Sequence, residues 1–415
     1  MSVMIDPLLE RQWTRDATAH PRVSDRSGHS VHGEPEARSR ATGGPRIRVT
    51  PGRISLCVAV LLIPALYSYT IALTGPGSDS LQARTVEWAR DHHLGPVVDR
   101  LENWYYTKHQ AKVGGAPTVS VLPTVAPPPS VVGAAPPPTP GPTPLQTPAD
   151  VPIPGEGVWS PLGPLVNGQA GAYVTSIRPD NVHTSSIDEV VNFDPKVFSF
   201  RAYPGTKIPK PWDRPDYVEP ERRPSLVAAF SGGFRLRDSG GGMILGGTAI
   251  QPMKNGIATM SIDKNGVPNI GVWGRDIVDS SALDSARQNL DPIVDNGMAN
   301  PDLLTDPNRK WGFTGPKNKT AVWRSGAGIT ADGHLIWVGG PGLTIDALAH
   351  TLIRAGAIRA MQLEINQEWV QLNTYSTNSL GKTSGKRLIT GMQHTGNRWL
   401  TEDTRDFVAA FVRSP

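Results

Sequence analysis

TIDALAHTLIRAGAIRAMQLEINQEW, Thr344–Trp369, is the stretch that decides the fold. Its first half carries one apolar stripe at helical spacing: Ile345, Leu348, Ala349, Leu352 and Ile353. Thr344 is placed to cap that helix, Asp346 falls in its first turn, and Gly356 can end it. Beyond Arg359 the period changes to two. Met361, Leu363 and Ile365 alternate with Gln362, Glu364 and Asn366, as in a strand. A helix that passes through one glycine into a strand predicts a helix packed on a sheet. Glu364 then belongs to the strand's polar face near its end, where loops converge and sites form.

Working outward, VFSFRAYP (197–204), LVAAFSGGF (226–234), GIATMSIDKNGVPNIGVW (256–273) and AGITADGHLIWVGG (327–340) all carry strand signals. Lys264-Asn265-Gly266 and Ala331-Asp332-Gly333 read as hairpin turns in which glycine supplies positive φ. Residues 158–415 are therefore expected to form an α+β domain, a strand-rich mixed sheet with packed helices. Its length suffices to bury a single large core.

The rest of the 415-residue chain is appended to that domain. Residues 1–53 are polar, rich in Arg, Ser, Gly and His, and read as a disordered cytoplasmic tail. Ile54–Thr74 holds no charged residue and has the length of one bilayer-spanning helix. Arg46, Arg48 and Arg53 precede it and Asp79 follows, which puts the N-terminus inside and the main domain outside the membrane. The long leading tail favours an uncleaved anchor over a cleaved signal peptide. Residues 75–110 read as a helical juxtamembrane segment, two amphipathic helices broken at Gly95-Pro96. Residues 80–109 are either a collar on the domain or a surface for homo-oligomers. Residues 111–157 are proline-rich and read as an extended spacer. The single cysteine, Cys57, excludes an internal disulfide and any cysteine-based site. A net charge of +4 gives no case for nucleic acid.

Several polar residues interrupt apolar runs in the domain. Arg324 lies within TAVWRSGAGI, and a buried arginine needs a carboxylate or an anionic ligand. Asp295 and Asn296 follow the short apolar run in PIVDNGM. Ser231, Phe234 and Arg235 flank a glycine-rich loop that lacks the ending of a nucleotide P-loop. His334, His350 and His394 are scattered along the chain, and His350 falls on the polar side of its helix. No spacing demands a metal and no cofactor is expected, although the oxygen ligands leave a divalent cation open.

In this order the pieces resemble the phosphodiester glycosidase family, the domain of the mannose 6-phosphate uncovering enzyme. Ser231-Gly232-Gly233-Phe234 is similar to its Asn-Gly-Gly-Phe motif, and Met243–Asn269 to the segment that follows. Asp295-Asn296-Gly297 looks like its Asp-Gly turn. Arg324–Gly328 with Asp332-Gly333 looks like its Arg-Thr-Ala-x-Gly strand and hairpin. Leu343–Ala357 and then Leu363-Glu364-Ile365-Asn366 look like its helix and terminal Leu-Asp-Gly-Gly. The resemblance covers about residues 225–370, and the anchor, helical segment and spacer look like those of membrane-anchored actinobacterial members. Two departures stand out: Ser231 replaces Asn, and Glu364-Ile365-Asn366 replaces Asp-Gly-Gly.

The resemblance implies an extracytoplasmic glycosidase acting on a sugar phosphodiester or a related cell-envelope glycan linkage. Glu364 would be nucleophile or base, Asp295 the second carboxylate and Arg324 the phosphate clamp. Ser231, Asn296 and Asn366 would bind sugar hydroxyls, Phe234 or Trp369 would stack on a ring, and Arg235 would join the substrate contacts. The structural alternative for Glu364 is a salt bridge to Arg324 or Arg359. The functional alternative is a cell-wall glycan-binding domain on a membrane tether.

Overall fold

The computed structural model describes residues 51–117, 141–305, 310–312 and 319–413, with residues 51–59 and 61 described by backbone alone. The tail before residue 51 and the middle of the proline-rich segment lie outside the described residues. The chain divides at Val60, and the compact unit Leu61–Pro415 carries the domain.

Three helices precede the domain: α1 (Pro51–Thr74), α2 (Leu81–Asp91) and α3 (Gly95–Lys108). The expected span Ile54–Thr74 lies within α1, and part of its side chains falls outside the described residues. Among the described residues, no helix is long and apolar enough to cross a membrane. Ser80 starts α2 by accepting from the Ala83 amide at 3.1 Å. Pro96 falls in the first turn of α3, where its missing N–H costs nothing.

In chain order the main strands are β1 (Ala172–Ile177), β2 (Asp188–Phe193), β3 (Phe198–Tyr203), β4 (Leu226–Ser231), β5 (Met243–Leu245), β6 (Ala258–Asp263), β7 (Pro268–Val272), β8 (Leu283–Gln288), β9 (Pro292–Asp295), β10 (Val322–Thr330) and β11 (Leu335–Leu343). Helix α4 (Ile345–Arg354) follows, then β12 (Ala357–Ile365), β13 (Leu372–Thr377), β14 (Thr383–Arg387) and β15 (Phe407–Val412). The largest sheet runs β1-β2-β11-β10-β12-β9, with a two-residue strand at each edge. A second sheet runs β14-β13-β4-β15-β3, and a third runs β7-β6-β8-β5 to an edge strand at Thr248–Gln251. Neighbouring strands pair antiparallel.

Helix α4 forms where the sequence places it. Thr344 Oγ1 accepts from the Ala347 amide at 3.0 Å, and Gly356 takes the left-handed φ of 92° that releases the chain into β12. Its apolar stripe packs with Ile336, Val338 and Ala360 on one face of the large sheet. A side chain on Gly326 would meet Leu348 at 3.2 Å, so glycine lets the helix lie close. The opposite face, with Phe193, Trp337, Met361 and Leu363, meets Phe230, Met260 and Val408 from the other two sheets in the main core. Each such side chain contributes about 1.5–3 kcal/mol by leaving water.

The described ends of the proline-rich segment rest on the domain. The Ala111 amide donates to Ala321 O at 2.8 Å, Leu145 is buried, and Glu156 pairs with Arg178 at 2.7 Å.

Candidate functional site

Strict alternation puts Gln362 and Glu364 on one face of β12. The register between β10 and β12 breaks that rule. Gly326 pairs with Gln362 and Arg324 with Ile365, so β12 spends three residues where β10 spends two. The extra residue makes a β-bulge, which re-aims a side chain. Gln362 stays on the helix side with Arg324. Glu364 joins Leu363 on the side of the second sheet and reaches Arg405, just ahead of β15. The carbonyls of Gln362 and Leu363 that the bulge displaces accept from Asn289 Nδ2 at 2.7 and 2.8 Å.

Glu364 is buried, and its Oε1 accepts from Arg405 Nη2 at 3.0 Å. Burial raises its pKa to about 7; Asp406 pushes the same way, and Arg405 offsets only part of the shift. Arg405 also donates to Glu87 Oε1 at 3.2 Å and to Gly233 O at 3.3 Å, and its guanidinium lies 4.3 Å from the centre of the Trp369 ring. Asp406 pairs with Arg287 at 3.0 Å. Gly232 gives this carboxylate room, since a Cβ there would stand 2.4 Å from Asp406 Oδ2.

Helix α2 lies over these cations. Glu87 stands 3.5 Å from Lys207 Nζ and 3.7 Å from Arg235 Nη1, besides its bond to Arg405. Asp91 meets Arg237 at 2.5 Å and Arg235 at 3.5 Å. Acidic residues near a helix C-terminus oppose the macrodipole, so tertiary cations hold these two carboxylates. A cleft of about 360 Å³ lies to one side, bounded by Ser78, Arg398, Trp399 and Asp403. Glu364 does not line it.

The expected convergence of Asp295, Arg324 and Glu364 does not occur. Asp295 sits beside the Ala360 end of β12, more than about 10 Å along the strand from Glu364 at 3.3 Å per residue. There it forms two 2.8 Å bonds to the half-exposed Arg275. Arg324 is fully buried on the helix side. It donates to Leu343 O at 3.1 Å and to Gln362 Oε1 at 3.4 Å, and burial lowers its pKa to about 9. Asn296 (φ 49°) and Gly297 (φ 72°) make the tight turn after β9, and Asn366 (φ 70°) makes the turn after β12, so both asparagines have backbone work. Ser231 Oγ is spent on Trp369 O at 2.8 Å. Phe234 lends its carbonyl to Arg287. Arg235 and Trp369 do lie with Glu364, through Glu87 and Arg405 respectively.

Arg405, Asp406, Arg287 and Glu87 complete the cluster, and no motif marks them. The one local sign is Arg405-Asp406 directly before the apolar FVAAFV of β15.

No family model matches the chain, and no curated protein does. Among solved structures it is weakly similar to the catalytic domain of zebrafish N-acetylglucosamine-1-phosphodiester alpha-N-acetylglucosaminidase, auto-inhibited by its pro-peptide. That match has 15% identity and a TM-score of 0.39, covering 59% of this chain and 82% of that one. A hypothetical protein from Synechocystis matches at 12% identity and a TM-score of 0.38, covering 61% of this chain and 64% of that one.

Proposed function

We propose that the domain is an extracytoplasmic hydrolase of a sugar phosphodiester or a related cell-envelope glycan linkage, with Glu364 as its acid–base carboxyl and Arg405 as its anion clamp. The observation that carries this reading is a carboxyl fully buried among Arg405, Asp406 and Arg287, its pKa pushed up by burial to about 7. The deprotonated Glu364 takes a proton from water, the water oxygen bonds to the anomeric carbon, and the bond from that carbon to the phosphate oxygen breaks. The phosphate monoester leaves as an anion, which Arg405 holds, assisted by Arg235. Trp369, against Arg405, offers the sugar a ring face. Asp406 is the nearby second acid, in place of Asp295, and Arg405 replaces Arg324. Glu87 and Asp91 of α2 hold the positions that phosphate oxygens would take on the same cations. Substrate entry therefore requires α2 to move.

The exposed apolar side chains of α1, among them Ile63, Leu66 and Ile71, support a membrane-anchored chain, and the arginines ahead of it in the sequence favour the domain lying outside. Homo-oligomers through residues 80–109 fit less well, because α2 spends its acidic side on the domain.

The test is release of free sugar from sugar phosphodiesters and envelope glycans by the full chain, by Glu87→Gln, and by Glu87→Gln with Glu364→Gln. Product from Glu87→Gln that falls at least about 100-fold with Glu364→Gln supports hydrolysis. The 3.0 Å tie between Glu364 and Arg405 favours the second reading, a glycan-binding domain. Equal glycan binding by all three proteins with no product selects that reading.

A further inference from the structure

A second cluster lies at the other end of α2 and takes no part in the proposed hydrolysis. Asp79 stands just ahead of α2, Glu368 lies in the turn after β12, and His394 lies in the loop between β14 and β15. One donor atom from each lies within 4.8 Å of the other two. His394 Nε2 is 4.0 Å from Asp79 Oδ1 and 3.8 Å from Glu368 Oε1. The side chains of His394 and Asp79 are 1% and 3% exposed, and that of Glu368 is 15% exposed.

The remaining atoms of these side chains are already held. His394 Nδ1 lies 3.1 Å from Ser78 O and 2.9 Å from Ser78 Oγ. A carbonyl only accepts, so the hydrogen-bond network assigns the proton to Nδ1 and leaves the lone pair on Nε2, turned toward the carboxylates. Asp79 Oδ2 accepts from Thr404 Oγ1 at 2.6 Å. Glu368 accepts from the Ser80 amide and hydroxyl at 2.8 and 3.0 Å. Asp79 Oδ1 and His394 Nε2 are left over, both buried and neither with a hydrogen-bond partner. The Glu368 main chain approaches the ring outside hydrogen-bond geometry.

Three acceptors therefore face one another, which is repulsive unless positive charge lies between them. Separations of 3.8–4.0 Å are too long for a shared proton to close. The adjacent Arg398 is already tied to Asp403 by two bonds, of 2.8 and 2.9 Å. With two separations of 4.0 and 3.8 Å and the third no longer than 4.8 Å, the point equidistant from the three atoms lies at most roughly 2.5 Å from each, a small inward movement from the zinc bond lengths of about 2.0–2.2 Å. Two carboxylates match a double positive charge, and the imidazole favours a first-row transition metal over calcium or magnesium.

We propose that Asp79, Glu368 and His394 bind a divalent first-row transition-metal ion that ties the start of α2 to the domain. The ion joins residues far apart in the chain and fixes the helix whose other end lies on Arg405. His394 orients through Ser78, and Asp79 through Thr404, as ligands held by an outer shell of hydrogen bonds.

The test uses the full chain without a histidine tag, stripped with EDTA and titrated with ZnCl2, MnCl2 or CaCl2. Bound metal is counted after gel filtration, and exchange of the α2 amides is followed by mass spectrometry. The expected result is one zinc or manganese ion per chain, slower exchange in α2 when metal is bound, and no retained calcium. Asp79→Asn and Glu368→Gln keep shape and hydrogen bonding, and each should weaken zinc binding by at least about 10- to 100-fold. A thermal midpoint in EDTA equal to the parent's shows that these variants are folded; His394→Gln replaces either one that is not. Variants that bind zinc as tightly as the parent, a parent that retains no metal, or retention of calcium in preference to zinc and manganese would each overturn the proposal.

Discussion

Glu364 and Arg405 set each other's charge, and burial sets the balance. The pKa of Glu364 is raised from 4.5 to about 7 on folding. A carboxyl that holds its proton more tightly when folded adds stability that is fully present below the unfolded pKa. That contribution is lost as pH rises through the folded value. Between pH 4.5 and about 7 the parent therefore loses stability that Glu364→Gln does not lose. Urea midpoints at pH 5 and pH 8 should show the difference between the two proteins moving toward the variant by about 1–3 kcal/mol. Parallel pH profiles would show that Glu364 does not titrate there. Arg405→Met leaves Glu364 buried without its cation and takes one of three cations from Glu87, and should cost about 3–5 kcal/mol in denaturant unfolding. At this scale the sequence was half legible. Glu364 stood out because a carboxylate interrupted a strand pattern. Arg405 did not, because an arginine in a polar loop looks the same whether it lies in water or under a helix.

The element that matters most is the bulge in β12. Its single extra residue sends Glu364 to the face opposite Gln362 and Arg324. Period-two reading cannot detect this, because a bulge depends on the partner strand's register. Asn289 holds it open, so Asn289→Ala should leave two carbonyls unsatisfied, at about 1–3 kcal/mol each. The same variant should impair turnover more than its loss of stability explains, as measured at a temperature where it is fully folded. Helix α4 was legible throughout, because its cap, its stripe and its terminating glycine are local. Thr344→Ala should cost about 1 kcal/mol of unfolding free energy through the lost bond to Ala347, and should leave the site intact.

At the scale of the molecule, α2 is a cover held by charge. Glu87 and Asp91 face Arg405, Arg235, Arg237 and Lys207. Removing one carboxylate should loosen the helix while the sheets stay folded. Glu87→Gln is expected to speed amide exchange across α2 several-fold with unchanged protection in β10 and β12, read by exchange mass spectrometry. Unchanged exchange in α2 would show that packing of its buried face at Ala83, not charge, keeps it in place. The sequence marked residues 75–110 as amphipathic helix but gave no sign of which surface it covers. Its partners lie over a hundred residues away and carry no matching period.

The amino-acid order alone determined what neighbours decide. It placed helix α4 and the strand after it, the hairpin glycines, the apolar run at Ile54–Thr74 and the acidic residue at 364. These follow from backbone sterics and from periodicity over a few residues. Tertiary structure alone decided the face on which Glu364 emerges, its pairing with Arg405 in place of Arg324, and the meeting of Asp79 with His394. Those outcomes depend on strand register and on burial shared between distant segments, and no local pattern encodes either.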